Sequence, residues 1–128
     1  MTEKPRLLLV EDDPLLRELL EMLLSLEGLE VVQAENGLVA LERLQQGDFR
    51  LVVLDLMMPL MDGLLFLKEF STLPPDRPLV LVLSANSDAE TAERALRAGA
   101  AAIARKPVDQ ESFIAEVRAL LDGGVKRG

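Results

Sequence analysis

Three uninterrupted apolar runs constrain the fold of this chain more than any other feature: LLLV at 7–10, LVVL at 51–54 and LVLVL at 79–83. A strand with one wet face alternates apolar and polar residues. Runs without alternation belong to strands covered on both faces, as in the interior of a parallel sheet. Each run stops at a polar residue: Glu11, Asp12 and Asp13 follow the first, Asp55 the second and Ser84 the third.

The segments between these runs read as helices and outer strands. Asp13 and Pro14 suit the N-cap and first turn of a helix that ends at Gly28. Its leucines at 15, 16, 19, 20, 23 and 26 recur at helical spacing. Met22 and Leu24 widen that surface beyond one stripe, through plain leucine richness or as a docking face for a partner. A strand at 29–34 and a helix at 36–46, stopped by Gly47, come next. After the strand at 51–54, Asp62 is the expected cap of a helix from 63 to about 70, with Leu64, Leu65 and Leu67 facing inward. Beyond Pro74, Pro75 and Pro78 the third run gives a strand at 79–84, and Ser87 and Asp88 open a helix stopped at Gly99. A small-residue strand at 100–104, the pair Lys106 and Pro107, and a helix from Asp109 complete the pattern.

Five strands alternating with five helices specify one α/β domain, a doubly wound parallel sheet with helices on both faces through right-handed crossovers. The common order for five strands, 2-1-3-4-5, sets the first strand beside the third and gives a flavodoxin-like (βα)5 fold. The domain is expected over residues 1–122, with 123–128 as a C-terminal tail or the start of a linker.

Composition removes several classes of function. No apolar run approaches the ~18 residues that span a bilayer, and MTEKPR lacks the apolar region of a signal peptide, so a cytoplasmic chain is expected. A net charge of −8, from 22 acidic and 14 basic residues, opposes a nucleic-acid surface. Four phenylalanines as the only aromatics provide no base-stacking platform. With neither histidine nor cysteine, imidazole and thiolate chemistry are excluded, and any metal must be held by oxygen: magnesium, calcium or manganese.

In the 2-1-3-4-5 order, Glu11, Asp12, Asp13, Asp55, Ser84 and Lys106 all fall at the carboxyl edge of the sheet, where open α/β sheets hold their sites. Four carboxylates around one point repel each other and require a cation. Mg²⁺ suits them because it keeps several waters and takes one or two carboxylates. An ammonium, a hydroxyl and a divalent ion around one carboxylate can clamp the oxygens of a phosphoryl group, with Asp55 as the nucleophile that forms an acyl phosphate. The added charge of about −1.5 to −2 would draw Ser84 and Lys106 toward the site and shift nearby loops. Each residue alone has a plainer reading. Asp55 could be a turn acid, Glu11 and Asp12 a solvated cap, Ser84 a strand-end turn residue, and Lys106 a surface lysine with its stem on apolar ground.

The pieces LLLVEDDP, VLDLMMPLMDG, LVLVLSA and KP, in this order and at these spacings, resemble the response-regulator receiver domain (the CheY-like family of two-component signalling). The resemblance covers essentially the whole chain. It implies a Mg²⁺ site made by Asp12 directly, Glu11 through water, Asp55, and the backbone carbonyl of Met57. Asp13 falls outside that set and stays a helix cap. The resemblance also implies that Asp55 is the phosphoacceptor, Ser84 the switch hydroxyl and Lys106 the phosphate-binding lysine. Pro107 would follow a cis peptide bond. Met57 and Asn86 would line the entrance for attacking water and tune the lifetime of the acyl phosphate. One position departs: the family commonly has Tyr or Phe three residues before the lysine, coupled to the switch hydroxyl, and here Ile103 stands there.

The function so implied is a phosphorylation-dependent switch in a two-component system or phosphorelay, fed by the phosphohistidine of a histidine kinase or phosphotransfer protein. It would be a signalling module rather than a metabolic enzyme, although it catalyses its own phosphorylation and slow dephosphorylation. Three other readings compete. A receiver that acts as a protein-interaction module without phosphorylation is kept open by Ile103. A Mg²⁺-dependent phosphohydrolase generally needs a second acid where Met57 stands, and a cap domain. A flavodoxin-like cofactor binder needs a hydroxyl- or glycine-rich phosphate loop where EDDP stands. Neither nucleic acid nor membrane is an expected partner of this domain. The residues do not identify the downstream target, and they leave open a homodimer through the face of the fourth helix, fifth strand and fifth helix. A stand-alone receiver is slightly favoured over one excised from a longer regulator.

Overall fold

The computed structural model describes residues 4–55, 63–73, 77–84, 89–105 and 109–123. In chain order the elements are β1 (Arg6–Val10), α1 (Pro14–Leu26), β2 (Glu30–Ala34), α2 (Gly37–Gln45) and β3 (Leu51–Asp55). They continue with α3 (Gly63–Phe70), β4 (Leu79–Ser84), α4 (Ala89–Arg97), β5 (Ala102–Arg105) and α5 (Gln110–Gly123). The five strands form one sheet in the order β2-β1-β3-β4-β5, all parallel, as the strand and helix alternation requires.

The unbroken apolar runs are the three central strands, and their period of two divides the core into two layers. Leu8, Val10, Val52, Leu54, Val80 and Val82 pack on one side with Ala40 of α2, Phe66, Leu67 and Phe70 of α3, and Ala95 of α4. Leu7, Leu9, Leu51, Val53, Leu81 and Leu83 pack on the other with Leu20 and Leu24 of α1 and Phe113, Val117 and Leu120 of α5. Each such side chain contributes about 1.5–3 kcal/mol on burial, so the two packed faces, rather than the half-open edge strands, hold the fold.

Local chemistry sets the ends of the elements. Asp13 caps α1 by accepting from the amides of Leu15 and Leu16 at 3.0 and 3.4 Å, and Asn36 caps α2 by accepting from Val39 at 2.9 Å. Asp109 caps α5 by accepting from the Ser112 amide at 3.0 Å. Gly28 and Gly99 follow α1 and α4 with φ of 85° and 117°, where a side chain would be strained. Asp62, Ser87 and Asp88, the expected openers of α3 and α4, lie outside the described residues.

Three expectations shift in detail. In α1, Leu20 and Leu24 are the buried pair, with Leu16 and Leu23 half-buried, while Leu15 and Leu26 are 81% and 76% exposed. Leu24, which seemed surplus to the stripe, is thus core, and Leu15, Leu19, Met22 and Leu26 are on the solvent side. In α3, Leu67 faces inward as expected but Leu65 is exposed, and Phe66 and Phe70 fill the core, stacked at 5.8 Å between ring centroids. Side chains 100° apart cannot all share one face, and the larger rings take the interior. The side chain of Leu64 is outside the described set. The fifth strand begins at Ala102 rather than at 100, because the amide of Ala100 still bonds the Ala95 carbonyl at the end of α4, at 3.0 Å.

Candidate metal and phosphoryl site

The sheet order places the carboxyl ends of β1 and β3 side by side, with Val10 opposite Leu54, so the next residues, Glu11 and Asp55, emerge together. The strand order reverses at this point, since β2 lies on one side of β1 and the later strands lie on the other. Asp55 pairs with Leu83 of β4, and Ser84 follows one residue further along that strand.

Glu11, Asp12 and Asp55 each offer a carboxylate oxygen within 4.8 Å of the other two. Glu11 is fully buried and Asp55 is 2% exposed, while Asp12 opens toward solvent. Ser84 is buried nearby at the end of β4. The backbone leaves Glu11 little freedom. Its amide donates to the Ala34 carbonyl at 3.1 Å, its own carbonyl accepts from Nη1 of Arg17 at 2.8 Å, and its Oε2 accepts from the Asp13 amide at 3.1 Å.

At 4.8 Å two unit charges repel by about 3.5 kcal/mol at an effective dielectric of 20, so three carboxylates here favour a cation among them. Glu11, Asp12 and Asp55 would hold a hard divalent ion such as Mg²⁺ between them, directly or through its waters, since that ion takes one or two carboxylates and keeps several waters. The all-oxygen donor set fits that hard ion and excludes none of its usual ligands.

Sequence reasoning therefore finds three of its acids together, with Asp13 on the helix as a cap and Ser84 at the neighbouring strand end. Met57, Asn86, Lys106 and Pro107 lie outside the described residues. Ile103 is half-buried, pairs with Val82, and packs against the core layer on the α2, α3 and α4 side. Sequence reasoning overlooked Arg17 and Gln33, whose side chains meet at 2.9 Å beside the acidic turn. The signal was a glutamine in the otherwise apolar stretch LEVVQA and an arginine among the leucines of α1.

A family profile described as the response regulator receiver domain matches residues 7–118. The chain is 40% identical over 119 residues to the "Transcriptional regulatory protein CpxR homolog" of Haemophilus influenzae, covering 91% of this chain and 50% of that protein. It is 41% identical over 107 residues to the "Transcriptional regulatory protein ZraR" of Klebsiella oxytoca, covering 84% of this chain and 24% of that one. The chain thus spans half or less of the length of these relatives. Among solved structures, the CheY-like receiver domain protein from Methanospirillum hungatei matches with a TM-score of 0.90 at 27% identity, covering 98% of this chain and all of that one.

Proposed function

The chain belongs to the response regulator receiver family, and from that premise we propose that it is a phosphorylation switch with Asp55 as acceptor. The observation that carries the proposal is the convergence of Glu11, Asp12 and Asp55 at the reversal point of the sheet, with Asp55 almost wholly buried. A carboxylate held at the carboxyl edge of the sheet, with two other acids beside it to bind a cation, is placed as the nucleophile for in-line attack on phosphorus. An oxygen of Asp55 forms the new O–P bond while the N–P bond of a donor phosphohistidine breaks, and the bond's electron pair leaves with the imidazole, which takes up a proton.

We assign Glu11, Asp12, Asp55 and the carbonyl of Met57 to Mg²⁺, which when bound neutralises the phosphoryl oxygens. Ser84 and Lys106 are assigned to the remaining phosphoryl oxygens, so that the new charge draws them in. Residues 1–122 are taken as the switching module, working in the cytoplasm. Any longer protein that contains it would supply the output, as the names and lengths of the relatives suggest.

We also assign the phosphodonor protein to the outer face of α1. Leu15, Leu19, Met22 and Leu26 form an exposed apolar stripe about 16 Å long that starts two residues beyond Asp13. A partner seated on it would reach the acidic cleft. The experiment is intact mass after incubation with acetyl phosphate. One added phosphoryl group that requires Mg²⁺ and is lost in Asp55→Asn supports the switch. Absence of an adduct while Mg²⁺ still binds would overturn it in favour of a phosphorylation-independent interaction module.

A further inference from the structure

Arg17 sits one turn into α1, half-buried against β2. Its Nη1 donates to the Glu11 carbonyl at 2.8 Å and its Nε to Oε1 of Gln33 at 2.9 Å, while Nε2 of Gln33 donates to Oε1 of Glu21. The Gln33 amide thus turns its oxygen to a cation and its nitrogen to a carboxylate. The flipped amide would set donor against donor at one end and oxygen against oxygen at the other. Arg17 and Glu21 are one helical turn apart and share a face, and Gln33 pairs with Leu9 of β1. This chain of four residues therefore ties α1 to β2 across the end of β1, where the strand gives way to the acidic turn.

We propose that Arg17, aimed by Gln33 and Glu21, is a positioning residue for the Mg²⁺-binding acids; the proposal rests on the phosphoryl-switch reading of the site. Both main-chain groups of Glu11 are committed, the amide to Ala34 and the carbonyl to Arg17. The carbonyl belongs to the peptide unit from which Asp12 hangs. Holding that plane restrains the backbone from which the Asp12 side chain departs, and Asp12 is the one acid of the three that opens toward solvent. Without the Arg17 bond, that peptide can rotate, and repulsion from Glu11 and Asp55 drives Asp12 outward. Position and charge act here with opposite signs. Removing a nearby guanidinium strengthens the attraction for a cation, whereas losing the aim of Asp12 weakens it.

The sign gives the test. Mg²⁺ affinity is measured by titration calorimetry on the full chain for the wild type, Arg17→Met, Arg17→Lys and Gln33→Leu, with metal-free stability measured for each. Arg17→Met is expected to weaken Mg²⁺ about tenfold, as loss of an outer-shell partner does. Gln33→Leu, which changes no charge, is expected to weaken it several-fold. Arg17→Lys should recover part of the loss, since an ammonium can reach the carbonyl but cannot also hold Gln33. If Arg17→Met does not fold, Gln33→Leu decides alone. Unchanged or tighter Mg²⁺ binding in the variants overturns the positioning role and leaves the site reading intact. A wild type that binds no Mg²⁺ overturns the site reading and this proposal with it.

Discussion

Replacing Asp55 with asparagine is expected to stabilise the metal-free protein. Its carboxylate lies within 4.8 Å of those of Glu11 and Asp12, and each such pair repels by about 3.5 kcal/mol at an effective dielectric of 20. Solvent reduces the Asp12 share, because that side chain opens outward. Asparagine also gives up charge-assisted hydrogen bonding worth about 1.5 kcal/mol. The balance is about 2 kcal/mol in favour of Asp55→Asn, or about 6 °C in Tm for a domain of this size. Thermal unfolding in EDTA reads the effect directly. Saturating Mg²⁺ should then raise the wild type more than the variant and close the gap, since only the native state binds the ion. A variant that melts at or below the wild type in EDTA would refute mutual repulsion of the three acids.

Phe66→Ala is expected to cost about 3–5 kcal/mol while Leu65→Ser costs under about 0.5 kcal/mol, read as denaturant midpoints; equal costs would contradict the rotation of α3. Leu15→Ser with Leu26→Ser should leave stability within about 1 kcal/mol and acetyl phosphate labelling unchanged while slowing transfer from a phosphohistidine protein, and equal transfer would remove α1 as the docking face. Hydrogen bonds from the side chain and backbone of Ser112 hold the Asp109 carboxyl below its usual 3.8. Its capping contribution is therefore present above that value and lost as pH falls through the lower folded value. The stability gap between wild type and Asp109→Ala should accordingly be full at neutral pH and shrink in acid, and a constant gap would contradict this. Arg118→Ala should cost about 1 kcal/mol in urea unfolding, because Arg118 ties α5 to the end of α1 through the Glu27 carboxylate at 2.7 Å and its carbonyl at 3.1 Å.

The sheet is legible in the sequence because three strands buried on both faces leave no alternation to misread, and alternating helices leave only a parallel order to build. The meeting of Glu11, Asp12 and Asp55 follows from that order, since each ends or follows a strand whose neighbour is fixed. The rotation of α1 was not legible. With leucine or methionine at eight of thirteen positions, the apolar arc of α1 is too wide to show which part of it is buried, and only the packing of Leu20 and Leu24 against the sheet decides. In α3 the same excess hid the larger claim of Phe66 and Phe70 on the core. AGAAAIAR carries no pattern that separates the end of α4 from the start of β5. Arg17 and Gln33 were missed because a polar residue within an element reads as solvated until the tertiary fold supplies its partner.

The most direct test of the central claim is where the phosphoryl group goes. Borohydride reduction of the acetyl phosphate-treated protein converts an aspartyl phosphate to the corresponding alcohol, and peptide mapping locates it. Reduction confined to Asp55 and dependent on Mg²⁺ is the predicted result. Reduction at Asp12, at Asp13 or at no carboxylate would contradict the assignment of Asp55 as the acceptor.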